Sequence, residues 1–211
     1  MERSGLINKV KVKLDEFTPG GIGTPFDDYI NPLLDESARL LLERGPLRLI
    51  LPTNIPLTSG SPPVSIVEYA DNKAYIPVTA DFIRLYEIRF ALWKKSVRAA
   101  ISTENPLYKI QENEYIKGGN GRPSVAIIET SISGTVKKYF ECSPLFYSPT
   151  ETLTPTVATY VKEFKPEELN DQLADSLTWI CTQKVLSILG YADKAMLAMN
   201  HFNEALNALV M

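Results

Sequence analysis

The segment from Pro166 to Leu209 has the pattern of two helices joined by a short turn, and it limits the possible folds more than any other part of the chain. Pro166 can occupy the first position of a helix, where its missing N–H is not needed. Apolar residues then recur at helical spacing until Gly190, which suits the left-handed position just past a helix end. A second apolar series follows it. Because so short a connection makes the helices lie roughly antiparallel, we predict a helical hairpin.

The N-terminal region has the pattern of two further helices. The first presents one apolar face, made of Leu6, Ile7, Val10 and Leu14. For the second, Asn31 is the predicted cap, Pro32 the first residue and Gly45 the end. Helices that cannot bury their apolar faces alone pack on one another. The expected core of the bundle consists of Leu173, Leu177, Met199, Phe202 and Leu206, packed against Leu33, Leu40 and Leu41.

The residues between these helical regions have strand patterns. The strand-like segments are Val64–Tyr69, Lys73–Ile76, Pro123–Thr130, Lys137–Cys142 and Val157–Phe164. The first two are predicted to pair through a turn at residues 70–72, and the next two form a second predicted hairpin. The run Phe82–Trp93 fits either a strand or a helical turn.

Together these patterns predict an α+β fold in a single domain. Residues 1–46 and 166–209 are expected to form a helical bundle from the N- and C-terminal helices. Residues 64–164 are expected to form a β-rich insertion, and long proline-rich loops complete the chain.

The overall composition argues against several classes of function. The chain of 211 residues has a net charge of −3 and no basic block, so it is no obvious nucleic-acid binder. It contains no apolar run long enough to cross a membrane, and Met1–Asp15 lacks the apolar stretch of a signal peptide. Cys142 and Cys181 are too few for a disulfide framework and lack metal-ligand spacing. We expect one partly buried thiol and one core thiol in a reducing compartment.

Candidate catalytic groups are scarce. His201, the single histidine, lies within the predicted last helix, and no G-x-S-x-G motif accompanies it. Residues 118–121 are glycine-rich like a phosphate-binding loop, but no Gly-Lys-Ser/Thr follows, so a hairpin turn is the better interpretation. The acid pairs Asp27–Asp28 and Asp35–Glu36 suit the start of a helix. The sequence therefore predicts that the protein is not an enzyme, with no catalytic, cofactor-binding or metal-binding residue and no cofactor.

Several phrases and one pattern of elements carry a family likeness. They are Ile76–Pro77, Asp81–Leu85 followed by a strand and Trp93, Asn105–Gln111, Val157–Lys162, and a closing helix pair broken at Gly190–Asp193. In these features the chain resembles the head–tail connector (adaptor) proteins of tailed phages. It is most similar to the ring proteins of podovirus-like phages of gut Bacteroidales. The likeness extends from about Ile7 to Leu209.

The resemblance implies a structural role in the virion, assembled in the host cytoplasm. Such connectors form a ring of about twelve copies below the portal protein. The ring joins the capsid to the tail, contacts other connector or tail proteins, and lets DNA pass without specific binding. It implies no catalytic residue and no membrane partner. A second class of function stays open, namely a small α+β DNA-handling or regulatory binding module, which would stay small and bind nucleic acid in a salt-sensitive way.

The long proline-rich segments Pro52–Pro63 and Pro144–Pro155 depart from the family pattern. They carry apolar side chains on segments with weak secondary structure, and such side chains need a partner surface. We therefore predict that at least one of these segments lies against an adjacent subunit or a neighbouring ring. The predicted inter-subunit residues are Ile55, Leu57, Leu145, Phe146 and Tyr147.

Charge is distributed unevenly along the chain. Residues 166–209 contain six acids and two bases, a net charge of −4, so the rest of the chain carries +1. Such a surface, turned toward DNA, would repel phosphate and let the duplex slide. An ordinary solvated helix surface is the alternative interpretation. The predicted lumen-facing residues are Glu167, Glu168, Asp171 and Asp175, whereas Lys94, Lys95 and Arg98 are expected to point outward or into subunit contacts.

Overall fold

The computed structural model describes residues 2–18, 27–57, 68–70, 72–113, 119–131, 136–145 and 155–209. The chain has a mixed α+β fold and divides into two compact units. Unit 1 combines Met1–Leu51 with Glu163–Met211, and unit 2 is Pro52–Lys162. The bundle built from both ends of the sequence and the inserted β-rich region are therefore both present, and the insertion begins at Pro52 rather than at residue 64.

Five α-helices and seven strands make up the described residues. The helices are α1 (Arg3–Phe17), α2 (Asp27–Arg44), α3 (Pro106–Glu112), α4 (Ala174–Ile188) and α5 (Ala192–Ala208). The strands are β1 (Thr53–Asn54), β2 (Glu68–Ala70), β3 (Lys73–Pro77), β4 (Phe82–Phe90), β5 (Ser124–Ser131), β6 (Val136–Ser143) and β7 (Pro155–Lys162). All of the helices except α3 belong to unit 1, and all of the strands belong to unit 2.

Helix α4 is the centre of unit 1, because α1, α2 and α5 all contact it. The apolar periodicity of the sequence explains this packing, since each helix turns one apolar face inward. The core prediction is confirmed for the buried residues Leu33, Leu41, Leu173, Leu177 and Phe202. Three other members of the predicted core, Leu40, Met199 and Leu206, are only half-buried.

The predicted hairpin is present, but its first α-helix begins at Ala174 rather than at Pro166. The intervening residues form two short 3₁₀ turns, Pro166–Glu168 and Asp171–Leu173. The side chain of Asn170 accepts a hydrogen bond from the backbone N–H of Gln172, so it starts a new turn where a continuous helix was expected.

Gly190 ends α4 as the sequence predicts. Its φ is +80°, a conformation that glycine adopts without the steric cost of a Cβ. The N–H of Tyr191 donates to the carbonyl of Leu186, and the N–H of Gly190 donates to that of Ser187. These two bonds form a Schellman motif, which satisfies carbonyls that the helix end would otherwise leave without partners.

Helix α2 begins earlier than predicted. It starts at Asp27, so Pro32 lies inside the helix and Asn31 is not its cap. Pro32 is exposed near the beginning of the helix, where water can replace the one backbone hydrogen bond that proline removes. The helix ends at Arg44 as predicted. A Cβ on Gly45 would lie 2.6 Å from the carbonyl oxygen of Leu41, so this position needs glycine.

Unit 2 contains two antiparallel sheets. One has the strand order β1-β7-β4 and the other has the order β2-β3-β6-β5. Both predicted hairpins are confirmed in the described residues, because β2 pairs with β3 and β5 pairs with β6. The ambiguous run is a strand over Phe82–Phe90. The largest side chains in the core of this unit are Phe90, Trp93 and Phe140.

Candidate functional site

The four acids predicted to face a lumen lie in the 3₁₀ turns and in the first turn of α4. Two of them form ion pairs with α1. A carboxylate oxygen of Glu167 lies 3.1 Å from Arg3 Nη1, and one of Asp175 lies 2.6 Å from Lys13 Nζ. Glu168 accepts a hydrogen bond of 2.9 Å from the N–H of Lys165. These contacts reduce the free negative charge of the group, and the lumen-facing role stays a prediction.

Arg3 is the most highly connected base of unit 1. Its guanidinium donates two hydrogen bonds of 2.9 Å to Asp35, and it also donates to the side chain and the carbonyl of Asn31. Asp35 is the largest influence raising the pKa of Arg3. The pKa of Glu167 is lowered, first by a hydrogen bond from its own backbone N–H and then by Arg3. The network joins α1 to α2 and to the segment before α4.

A second cluster surrounds Trp179 on α4, a residue that the sequence reasoning did not single out. The Nζ of Lys13 lies 3.9 Å from the centre of the indole, and it also hydrogen-bonds Thr178 Oγ1 at 2.9 Å. The ring of His201 stacks on the indole with centroids 4.6 Å apart, and Phe17 packs edge-on against it. Burial lowers the pKa of Lys13 despite its pairing with Asp175. The cluster ties α1, α4 and α5 together.

His201 itself is exposed, with Nδ1 3.3 Å from a carboxylate oxygen of Glu204. This placement agrees with its interpretation as a packing or surface histidine. Both thiols are buried more fully than expected, Cys142 as well as Cys181. Burial raises the pKa of Cys142 well above its ordinary value and that of Cys181 to about 12, so both thiols are protonated at neutral pH.

Unit 2 contains a buried charged cluster that was not predicted. Glu141 on β6 is 4% exposed, and its carboxylate lies 2.9 Å from the Nζ of Lys73 on β3. The hydroxyl of Tyr108 on α3 donates to the same carboxylate at 3.4 Å. The pKa of Tyr108 is raised, first by burial and then by the charge of Glu141, so the phenol stays protonated. The cluster fastens α3 to the sheet that contains β3 and β6.

The outer face of α3 is apolar and lies beside basic residues. Leu107 and Ile110 are exposed while Tyr108 turns toward the sheet. The Nε2 of Gln111 donates to the carbonyl of Arg122, and the N–H of Lys94 donates to that of Asn120. The loop 119–122 therefore brings the segment containing Lys94 close to the end of α3.

The predicted basic cluster is exposed at Lys94, Lys95 and Arg98, as expected for outward-pointing residues. Arg98 lies 3.6 Å from the carboxylate of Glu87 on β4. Trp93, next to the cluster, is buried and donates from Nε1 to the carbonyl of Pro144 at 2.8 Å. Its indole is therefore engaged inside unit 2 and does not face the solvent beside the basic residues.

The structure corrects the prediction that the proline-rich segments are extended arms. Thr53–Asn54 forms β1, which pairs with β7, and Ile55 donates from its N–H to Ala158 and is buried. Leu57 packs against the same core, and Leu145 is fully buried. These apolar side chains found their partner surface inside unit 2 and are not available to a neighbour. Phe146 and Tyr147 lie outside the described residues.

A groove of about 370 Å³ lies beside α1 in unit 1. Its lining combines acids, a base and apolar groups, namely Glu2, Gly5, Leu6, Lys9, Asp171 and Ala174. Asp171, one of the predicted lumen-facing acids, therefore borders a surface shared with α1.

Two searches among the described residues found nothing. Across those ranges no three histidine, cysteine or acidic side chains are grouped closely enough to hold a metal ion. In the same part of the chain, no helix is long and apolar enough to cross a membrane. No protein-family model matches the chain, and no curated protein sequence is significantly similar to it.

Proposed function

We propose that the protein is a structural component of a tailed-phage virion, a head–tail connector that forms a ring below the portal. About twelve copies would surround a channel through which DNA passes. The observation that carries the proposal is the architecture. The resemblance implies a helical bundle with a β-insertion, and the chain has a bundle formed from both of its ends with a separate β-rich unit inserted between them.

The polar clusters support a structural role because each of them joins secondary-structure elements. Arg3 connects α1 with α2, and Lys13 connects α1 with α4. Glu141 connects strands β3 and β6 with α3. In each cluster the charged groups are satisfied by partners within the same unit, which is how charges behave when they fix geometry.

The charge of unit 1 suits a channel that conducts DNA. Its residues include fifteen acids and ten bases, a net charge of −5, whereas unit 2 has ten acids and twelve bases, a net charge of +2. Non-specific affinity for DNA comes from phosphate neutralisation by basic residues. A lumen lined by unit 1 would therefore conduct the duplex with little attraction to it.

Cryo-electron microscopy of purified particles tests the proposal, after mass spectrometry has established whether the protein is present in them. We expect a closed ring of this fold at the vertex between portal and tail. The protein's absence from particles, or a position outside that vertex, would overturn the connector assignment.

The alternative of a DNA-handling module draws on one observation, the exposed basic residues around α3. Lys94, Lys95, Lys109 and Arg122 are all exposed in unit 2. Binding of duplex DNA, measured at low and at physiological salt, separates the two proposals. A regulatory module should bind with a steep salt dependence, whereas a connector should bind weakly at physiological salt.

A further inference from the structure

Two apolar surfaces, one on each unit, are exposed in the described residues. The first, the α3 surface, has Leu107 and Ile110 at its centre, and their exposed fractions are 59% and 38%. The second, the turn surface, lies at the end of α4 and on the first turns of α5. It consists of Ile188, Tyr191, Met196 and Leu197, which are 58%, 40%, 64% and 51% exposed.

We propose that the α3 surface of one copy docks on the turn surface of the next copy. The proposal rests on the proposed function, because a ring of more than two copies needs a heterologous contact between two different surfaces. A contact of one surface with itself would close at a dimer. The presence of one apolar surface on each unit fits the heterologous arrangement.

The α3 surface is rigid enough to act as an interface. Asn105 caps the helix by accepting a hydrogen bond from the N–H of Leu107 at 2.9 Å, and Pro106 occupies its first turn. Tyr108 and Gln111 hold the opposite side through Glu141 and Arg122. Leu107 and Ile110 are therefore fixed in place before any partner arrives, which lowers the entropy lost on binding.

The surroundings of the two surfaces have complementary charge. Lys94, Lys109 and Arg122 are exposed around the α3 surface. The turn surface belongs to the unit with a net charge of −5, and Asp193 and Glu204 are exposed on the same helix. An apolar centre with a charged rim is typical of protein–protein interfaces. Either surface docking on a second copy of itself would oppose like charges instead.

The turn surface also contains an aromatic anchor. Lys194 lies with its Nζ 4.7 Å from the centre of the Tyr191 ring, so this base is directed at the ring. Tyrosine and methionine are enriched at the centres of interfaces. A nucleic acid on the α3 surface would instead place Leu107 and Ile110 against phosphates, which gives those two side chains no favourable contact.

Mixed cross-linking of single-cysteine variants tests the contact. Leu107→Cys and Met196→Cys are made separately in the full chain, mixed, and treated with a short bis-maleimide. The native thiols are both buried and should not react. We expect a cross-linked dimer in the mixture and little in either variant alone. Leu107→Glu should weaken association by at least about tenfold, as for the loss of a central interface residue.

Val12 and Val136 provide matched controls, because they are apolar and 61% and 70% exposed but lie outside both surfaces. Val12→Cys mixed with Leu107→Cys, and Val136→Cys mixed with Met196→Cys, should give no comparable product. Cross-links within each single variant, equal yields from the control mixtures, or a chain that never associates would each overturn the proposed contact.

The outcome separates this contact from the proposed function. Rings seen in particles without the mixed cross-link would overturn the contact and leave the connector assignment intact. The mixed cross-link together with absence of the protein from particles would support the contact and overturn the connector assignment.

Discussion

Units 1 and 2 each hold a short or peripheral helix with charged side chains, but they place those charges at different depths. Helix α1 is held at both ends by ion pairs whose carboxylates, on Asp35, Glu167 and Asp175, are partly solvated. Helix α3 is held by Glu141, which is almost completely buried with Lys73. The first arrangement adds to a helix that already buries an apolar face, whereas the second carries much of the attachment itself.

The comparison shows why the same kind of pair has different weight in the two units. A solvated ion pair contributes between zero and about 1 kcal/mol, because water competes for both charges. Removing one partner of a buried pair costs about 3–5 kcal/mol, since the other charge is left buried and unpaired. Unit 1 should therefore depend on its apolar core, and unit 2 should be sensitive to a single charge.

The largest effect is expected for Lys73→Met. It leaves Glu141 buried without its cation, so the free energy of unfolding should fall by about 3–5 kcal/mol. Lys138→Met is the matched control, because the Lys138–Glu129 pair also joins two strands but both of its side chains are 63% exposed. Urea unfolding monitored by circular dichroism measures both. The double variant Lys73→Met with Glu141→Leu should recover much of the loss, and equal effects of Lys73 and Lys138 would contradict the comparison.

The next largest effect is expected in the core of unit 1. Leu177 is fully buried at the centre of the bundle, so Leu177→Ala should cost about 2–5 kcal/mol through lost burial and the cavity left behind. Leu197→Ala, on the exposed side of α5, should cost far less. Thermal or urea unfolding provides the measurement, and a silent Leu177→Ala would remove the idea that the apolar core dominates this unit.

A smaller effect is expected when α1 loses its terminal clamp. Arg3→Gln removes the pairs with Asp35 and Glu167, and because those pairs are partly solvated the cost should be no more than about 1 kcal/mol. Arg39→Gln is the control, since Arg39 makes only an exposed pair with Glu43. Hydrogen exchange of the α1 amides should rise in the first variant alone. A loss as large as that of Lys73→Met would contradict the distinction between the units.

The smallest effect is a pH dependence at Glu167. Its pKa in the folded protein is lowered below the ordinary value of 4.5, mainly by its own backbone N–H and then by Arg3. The stabilisation is therefore fully present above that ordinary value and is lost as the pH falls through the lower folded pKa. Unfolding midpoints between about pH 6 and about pH 3 should fall less steeply in Glu167→Gln than in the natural chain. Parallel curves would show that this carboxylate does not contribute.

Local patterns were sufficient to predict the helical hairpin, the strand pairs and the α+β class. The left-handed glycine at position 190 and the apolar spacing of α1 are properties of neighbouring residues, so the sequence displays them directly. The early start of α2 was missed because Pro32 is tolerated where water can replace its bond. The late start of α4 was missed because Asn170 can begin a turn as well as continue a helix.

The clusters were missed for a different reason. Lys73 meets Glu141, and Lys13 meets Trp179, only after distant segments have folded together. Pairing between such distant positions leaves no periodic trace in one sequence. The misassigned arms have the same origin, because Ile55 and Leu145 look like unpartnered apolar residues until β1 and β7 form the edge that covers them.

The insertion of unit 2 between the two halves of unit 1 has a consequence for synthesis. A ribosome makes α1 and α2 first, then all of unit 2, and only afterwards α4. Because domains fold as units while the chain is being made, unit 2 can fold while α1 and α2 still wait for the helix that covers their apolar faces. A chain interrupted before α4 would have Leu6, Val10 and Leu41 uncovered and would be a substrate for chaperones or proteases. Only a completed translation product can thus acquire a folded unit 1, which gives the cell a simple means of keeping unfinished chains out of a multi-subunit particle.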